Sequence, residues 1–173
     1  LNAVKPTLTE KLPEISMRKL HELYFKETGE DTRKEIDPTP AEERFISEYS
    51  AKNWGSEAVF ITEFPASHMK FYHFRDESNP EVAERADLIF RGVEIMTTSR
   101  REHRYEKLIE QLKEMGGNPE DSGYKYFLQA FMYGMPSHGG CGLGLERLTQ
   151  KIIGLNNVKE ATLFPRDINR LAP

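Results

Sequence analysis

The 173-residue sequence has one cysteine, Cys141. A lone thiol excludes an internal disulfide and any zinc site built from paired cysteines, and it fits a cytoplasmic setting. Histidine is scarce too: the five are scattered, without the paired spacing that holds a metal on one helix face. No apolar run approaches the roughly 20 residues needed to span a bilayer. The N-terminal stretch LNAVKPTLTEKLPEI is too mixed and polar for a signal peptide. Basic charge is in deficit, with 24 Lys and Arg against 28 Asp and Glu, a net charge of −4. A self-sufficient nucleic-acid binder carries a basic excess, so any RNA contact has to come from a local patch or from other polypeptide. No internal repeat or low-complexity segment is found.

What is present suits one globular domain with a real core, since 38% of residues are hydrophobic and 30% charged. Residues 1–14 carry two prolines and read as an arm. Ser16 can cap a helix whose face holds Met17, Leu20, Leu23 and Tyr24. The charged stretch 27–38 ends in Asp37-Pro38, a loop signal. Thr39-Pro40-Ala41-Glu42 then reads as a capping box with proline at the first helical position. It opens a helix with Phe45, Ile46 and Tyr49 on one stripe that stops near Gly55. Val59 to Thr62 is a short strand, and Lys70 to Phe74 can pair with it. Residues 76–85 look like a solvated connection. A longer β segment runs from about Ala86 to Thr98, with Gly92 as a bulge or close approach. Two helices follow, on Tyr105, Leu108, Ile109, Leu112 and Met115, and on Tyr124, Phe127, Leu128 and Phe131. Gly116-Gly117 and Gly134 end them. The run Gly139 to Gly144 is too glycine-rich for a packed strand by propensity alone. A last helix carries Leu145, Leu148, Ile152 and Ile153 and closes at Gly154. The tail ATLFPRDINRLAP starts strand-like and becomes a charged turn.

Two segments can carry chemistry. In Arg91-Gly92-Val93-Glu94, continuing to Arg101, an acid sits in a β segment three residues before the hydroxyl of Thr97. Such oxygens can serve Mg²⁺ on a nucleotide, because that ion takes one or two protein oxygens beside phosphate and water. Arg101 adds a planar fork for a carboxylate or phosphate. The plainer alternative is a surface ion pair of Glu94 with Arg101 near a sheet edge. In the second segment, Gly139 to Arg147, glycines let backbone approach a flat or phosphorylated ligand. Arg147, in the first turn of the next helix, can stack on a base or neutralise phosphate. The alternative is a glycine-rich strand packed under a helix. No Lys-Ser/Thr pair follows the glycines, so this is not a Walker loop. The cluster Arg100-Arg101-Glu102-His103-Arg104 can meet phosphate or form a solvated face. His138 reads as structural, and Cys141 as a small buried filler.

Taken together these segments resemble a known family. Gly139-Gly140-Cys141-Gly142-Leu143-Gly144-Leu145-Glu146-Arg147 is similar to motif 3 of class II aminoacyl-tRNA synthetases. Phe164-Pro165-Arg166-Asp167, with Arg170-Leu171 and Pro173, resembles the ending of the aspartyl enzymes. Arg91-Gly92 through Glu94-Ile95, then Arg101-Glu102-His103-Arg104-Tyr105, resembles their amino-acid-binding strand. The compact form is similar to the archaeal and eukaryotic type, and the match covers residues 57–173 and, more loosely, back to residue 11. The chain departs from the family's usual glycine at Thr98, glutamine at Arg100 and proline at Ser137.

The resemblance implies an α+β fold, part of an antiparallel sheet flanked by helices, with strands near 58–63, 70–75, 86–98 and 139–144. It implies that Glu94 binds Mg²⁺ and ATP, that Thr97 shares the metal near aspartate, and that Arg101 grips the aspartate side chain. It gives Arg147 the ATP phosphates and adenine, with Gly144, Leu145 and Glu146 lining the pocket. Aspartate would be joined to tRNA through aspartyl-adenylate by a soluble parent enzyme, a homodimer. Residues 1–173 would be the C-terminal part of its catalytic domain. Motif 1, motif 2 and the anticodon-binding domain would lie before residue 1, leaving this chain inactive alone. Alternatives are an asparaginyl enzyme, a tRNA-independent asparagine synthetase paralogue, and a non-catalytic binding module on the same fold.

Overall fold

A computed structural model describes residues 3–169. The expectations placed on Arg170-Leu171 and Pro173 lie outside the described residues. In chain order the elements are β1 (Glu14–Ser16), α1 (Met17–Thr28), α2 (Pro40–Asn53), β2 (Ala58–Pro65), β3 (Val82–Phe90), β4 (Val93–Arg101), α3 (Tyr105–Glu114), α4 (Ser122–Met132), β5 (His138–Leu143) and α5 (Leu145–Ile153). The strands form a sheet in the order β1-β2-β3-β4-β5, mostly antiparallel. The α+β expectation holds, with one addition. β1 runs parallel to β2, with Ile15 opposite Ile61, so the N-terminal arm ends in a strand. The arm is also tied down, for the Thr7 amide donates to the Glu57 carboxylate at 2.7 Å.

Helix starts follow their caps. Ser16 accepts from the Lys19 amide at 3.4 Å, and α1 ends at Gly29 in the left-handed region, φ 80°. Thr39 and Glu42 form the full capping box of α2, with Pro40 in its first turn. Ile46 is wholly buried from that helix.

The chain divides into two compact units. The first holds the chain up to Thr62, Asp87–Thr97 and the chain from Gly142; the second holds Glu63–Ala86 and Thr98–Cys141. The first unit's core includes Ala58, Phe90 and Ile95, packed with Leu12, Val93, Leu148 and Ile152. In the second, α3 and α4 bring together Leu108, Leu112, Leu128 and Phe131, flanked by Phe71 and Tyr72.

Five sequence expectations are corrected. The segment 86–98 is not one bulged strand but the greater part of the β3–β4 hairpin, turning at Arg91 (φ 47°) and Gly92 (φ 81°). Two successive positive φ values are what a two-residue hairpin loop requires. The turn hides in the sequence because arginine is not a usual left-handed residue and apolar residues flank it on both sides. Residues 70–75 form no strand with β2. They make isolated bridges, His73 to Arg101 and Arg75 to Ala83, because the His73 amide turns back to the Lys70 carbonyl at 3.0 Å. The solvated connection is confined to 76–81, where Asp76 accepts from the Ser78 and Asn79 amides; beyond it β3 has begun, with Ala83 buried. The tail's apolar start forms no strand: Ala161 closes a 3-10 turn over Val158–Ala161 that Asn157 caps, and Leu163 and Phe164 lie in a bend. The glycine-rich segment does form a strand, β5, and an exposed one; Cys141 is accordingly exposed rather than a buried filler.

Candidate functional site

In the first unit, chemistry gathers where β4 leaves its hairpin turn. Arg91 anchors that turn: its guanidinium donates to Glu57 at 2.9 and 3.1 Å and to the carbonyls of Lys151 (2.8 Å) and Val4 (3.1 Å). Glu94 follows three residues later, half-buried. Its carboxylate accepts from the Thr97 hydroxyl at 3.1 Å, and its backbone amide donates to Glu43 on α2 at 3.1 Å. The Gly144 amide donates to the Ile95 carbonyl at 2.8 Å, which sets the start of α5 beside β4. Arg147, in the first turn of α5, therefore reaches Glu94. Its Nη1 donates to the Glu94 carbonyl at 2.8 Å and lies 3.6 Å from the carboxylate.

Glu43, Glu94 and Arg147 line a cleft of about 760 Å³. Burial pushes the Glu43 carboxyl up, as do the charges of Glu94 and Asp87, while the Glu94 amide and Arg147 pull it down less strongly. Among the described residues no group of three His, Cys, Asp or Glu side chains could cage a metal alone. The pair Glu94 and Thr97 offers instead two hard oxygens side by side. That donor set fits Mg²⁺ arriving with a nucleotide.

In the second unit, the cluster at the end of β4 sorts itself by ion pairing. Arg100 pairs with Glu84 at 3.2 Å and lies over the Phe74 ring. Arg104 binds the buried Glu102 through both carboxylate oxygens, at 2.9 and 2.8 Å, and reaches Glu77 at 2.7 Å. Glu102 also accepts the amides of His103 and Arg104. Burial alone would raise its pKa, but these donors outweigh it and hold the carboxyl below its usual range. Arg101 is different. Its guanidinium lies over the Tyr72 ring at 4.6 Å, and its Nη1 is buried without a hydrogen-bond partner among the described residues. It opens on a cleft of about 260 Å³ with Tyr72, Phe127, Phe131 and His138. A buried guanidinium nitrogen whose N–H donors lack an acceptor, in a small aromatic cleft, can take a carboxylate.

The structure thus brings Glu94, Thr97, Gly144 and Arg147 together in the first unit. Leu145 and Glu146 stand exposed at the start of α5, without a hydrogen bond to Glu94 among the described residues. Arg101 belongs to the second unit, and the ion pair of Glu94 is with Arg147 of its own unit. His138 is held by its own loop, with Nδ1 2.9 Å from the Pro136 carbonyl. Sequence reasoning missed Glu43, which looks like any charged residue in a first helical turn, and Asp87, which is buried in β3. An acid inside the apolar run Ala86 to Phe90 was the available signal for Asp87.

The family model of class II tRNA synthetases (D, K and N) matches residues 2–168. The chain belongs to that family. An aspartate–tRNA(Asp) ligase of Pyrococcus furiosus is 45% identical over 131 residues, 76% of this chain and 30% of the relative. An aspartate–tRNA(Asp/Asn) ligase of Thermus thermophilus is 39% identical over all 173 residues, which make up 40% of its length. Among solved structures, aspartyl tRNA synthetase from Entamoeba histolytica matches with a TM-score of 0.87 and 29% identity, covering 98% of this chain and 34% of that one. Asparaginyl-tRNA synthetase from Pyrococcus horikoshii, complexed with asparaginyl-adenylate, matches with a TM-score of 0.82 and 30% identity, covering 95% and 36%. This class II synthetase chain spans between 30% and 40% of the length of these four relatives. No described helix is long and apolar enough to cross a membrane.

Proposed function

We propose that this chain supplies the C-terminal part of an aspartate-activating catalytic domain, in a cytoplasmic, homodimeric enzyme that charges tRNA. Motifs 1 and 2 and the anticodon-binding domain belong to the remainder of that enzyme. Arg101 takes the side-chain carboxylate of aspartate through its planar fork. Arg147 neutralises phosphate charge on ATP and stacks beside adenine, in a pocket edged by Gly144, Leu145 and Glu146. Glu94 and Thr97 would hold Mg²⁺, which when bound draws charge from the phosphate oxygens.

An α-carboxylate oxygen of aspartate attacks the α-phosphorus of ATP in line. The new O–P bond replaces the bond to the β-phosphate bridge, and pyrophosphate leaves. A ribose hydroxyl at the tRNA 3′ end then attacks the carbonyl carbon of the adenylate, and AMP departs. Neither step needs a covalent enzyme nucleophile. Positioning and neutralisation of developing charge carry the catalysis, which suits residues that are oxygen ligands and guanidinium groups.

The observation that carries the reading is Arg101. Of Arg100, Arg101 and Arg104 it alone has no carboxylate partner among the described residues, and it is the one with a buried unpartnered nitrogen. A second reading, asparagine as substrate, is favoured by the likeness to the asparaginyl enzyme complexed with asparaginyl-adenylate. ATP–pyrophosphate exchange tests both, with aspartate and asparagine in parallel, on a protein joining this chain to a complete catalytic domain. Exchange with aspartate supports the first reading, and exchange with asparagine alone moves it to the second. Exchange with neither overturns both.

A further inference from the structure

We infer that Glu43 is a positioning residue for this site, holding the Glu94 backbone so that the Glu94 carboxylate and Thr97 hydroxyl are aimed at the metal-bound nucleotide. The inference rests on assigning Glu94 and Thr97 to that nucleotide. Strand amides ordinarily bond to a neighbouring strand's carbonyl. The Glu94 amide donates instead to a side chain from a helix, Glu43 Oε2 at 3.1 Å. The next atom group along, the Glu94 carbonyl, accepts from Arg147 at 2.8 Å. Residue 94 is therefore gripped on both sides, from α2 through its N–H and from α5 through its C=O. Both bonds join a side chain to backbone, one from each of two helices.

The grip is only as firm as the helix that carries it. Glu43 sits directly after Glu42, whose side chain is fully buried and bonded to four groups: His21 Nδ1 at 2.6 Å, Thr32 Oγ1 at 2.6 Å, the Thr39 amide at 2.9 Å and Thr39 Oγ1 at 3.0 Å. The first turn of α2 is thus pinned to α1 and to its own cap. On the strand side, the Arg91–Gly92 turn fixes where β4 begins. Glu94 stands between two anchored points, and Glu43 is the bridge from one to the other.

The test is Mn²⁺-ATP titration of the ¹⁵N-labelled chain, reading paramagnetic broadening at the Glu94 and Thr97 amides, with thermal melting of each variant. Glu43→Gln keeps an oxygen acceptor for the Glu94 amide and loses the charge; Glu43→Ala loses both. The expected result is broadening that needs about tenfold more Mn²⁺-ATP in Glu43→Ala, the usual scale for an outer-shell partner, and that Glu43→Gln largely restores at equal melting temperature. Equal response of Glu43→Ala and wild type overturns the inference and leaves the site standing. An equal loss in Glu43→Gln also overturns it, since charge rather than positioning would then be at work. No response in wild type, or an undiminished one in Glu94→Ala, overturns the nucleotide assignment and the inference with it.

Discussion

The Thr97 hydroxyl lies 3.1 Å from a carboxylate oxygen of Glu94 and donates to it. Three residues apart on a flat strand, the two side chains would point to opposite faces. Their contact shows that the side chains of β4 depart from regular alternation between Glu94 and Thr97. If the pair receives Mg²⁺, removing the hydroxyl weakens the metal without disturbing the strand. Thr97→Val is expected to raise the Mg²⁺ needed for half-maximal ATP–pyrophosphate exchange by at least about tenfold, the loss typical even of an outer-shell partner. Thr97→Ser keeps the oxygen and is expected to stay near wild type.

Much of this was legible in the sequence, because the signals were local. Ser16 and the Thr39–Glu42 box mark their helix starts through side-chain bonds to nearby amides. The helices α3 and α4 declared themselves by apolar spacing, and Glu94, Thr97 and Arg147 by their place in recognisable segments. What stayed hidden depends on partners far along the chain. The left-handed Arg91 is held by groups 34, 60 and 87 residues away. Glu43 matters only because a strand 51 residues later presents an amide to it. The charged run at 100–104 could not reveal which arginine is free until Glu84, Glu77 and Glu102 were seen to take the others.

Arg101 is expected to control aspartate rather than ATP. Its guanidinium is planar and offers two parallel donors, which a lysine cannot reproduce. Arg101→Lys is expected to lower kcat/KM for aspartate on the order of tenfold, and Arg101→Ala on the order of 100-fold, with KM for ATP nearly unchanged. Arg100→Ala removes a half-exposed ion pair with Glu84 and a stack on the Phe74 ring, neither of them in the Arg101 cleft, and serves as the control. Steady-state exchange kinetics with each substrate varied in turn separate the two.

Glu42 ties fold stability to pH. Burial alone would raise its pKa, but the bonds from His21, Thr32 and the Thr39 amide outweigh it and hold the folded-state value below the ordinary 4.5. A depressed folded pKa means that Glu42 contributes its full stability above about pH 4.5 and loses it as pH falls through the folded value. Glu42→Ala also takes from the buried His21 its 2.6 Å partner, leaving its Nδ1 only the Thr32 hydroxyl at 3.2 Å, while Nε2 is unpartnered among the described residues. The variant is expected to be less stable by ~3–5 kcal/mol at neutral pH. It should show a shallower further loss on acidification than wild type, as read by urea denaturation at a series of pH values.

The hairpin turn is the last place where one atom should matter. Gly92 has φ 81°, and a Cβ there would stand 3.2 Å from Cγ of Arg44 on α2. Gly92→Ala therefore meets two obstacles, a left-handed backbone and a crowded neighbour, and is expected to cost roughly 1–3 kcal/mol. Asparagine tolerates the left-handed region better than alanine, but it brings the same Cβ. The two costs can then be told apart. If backbone strain dominates, Gly92→Asn recovers much of the loss in a denaturation experiment. If crowding dominates, Gly92→Asn is as unstable as Gly92→Ala, and Arg44→Ala rescues both. Because Glu94 begins two residues beyond this turn, the destabilised variants should also bind Mn²⁺-ATP more weakly, in the order of their stability loss.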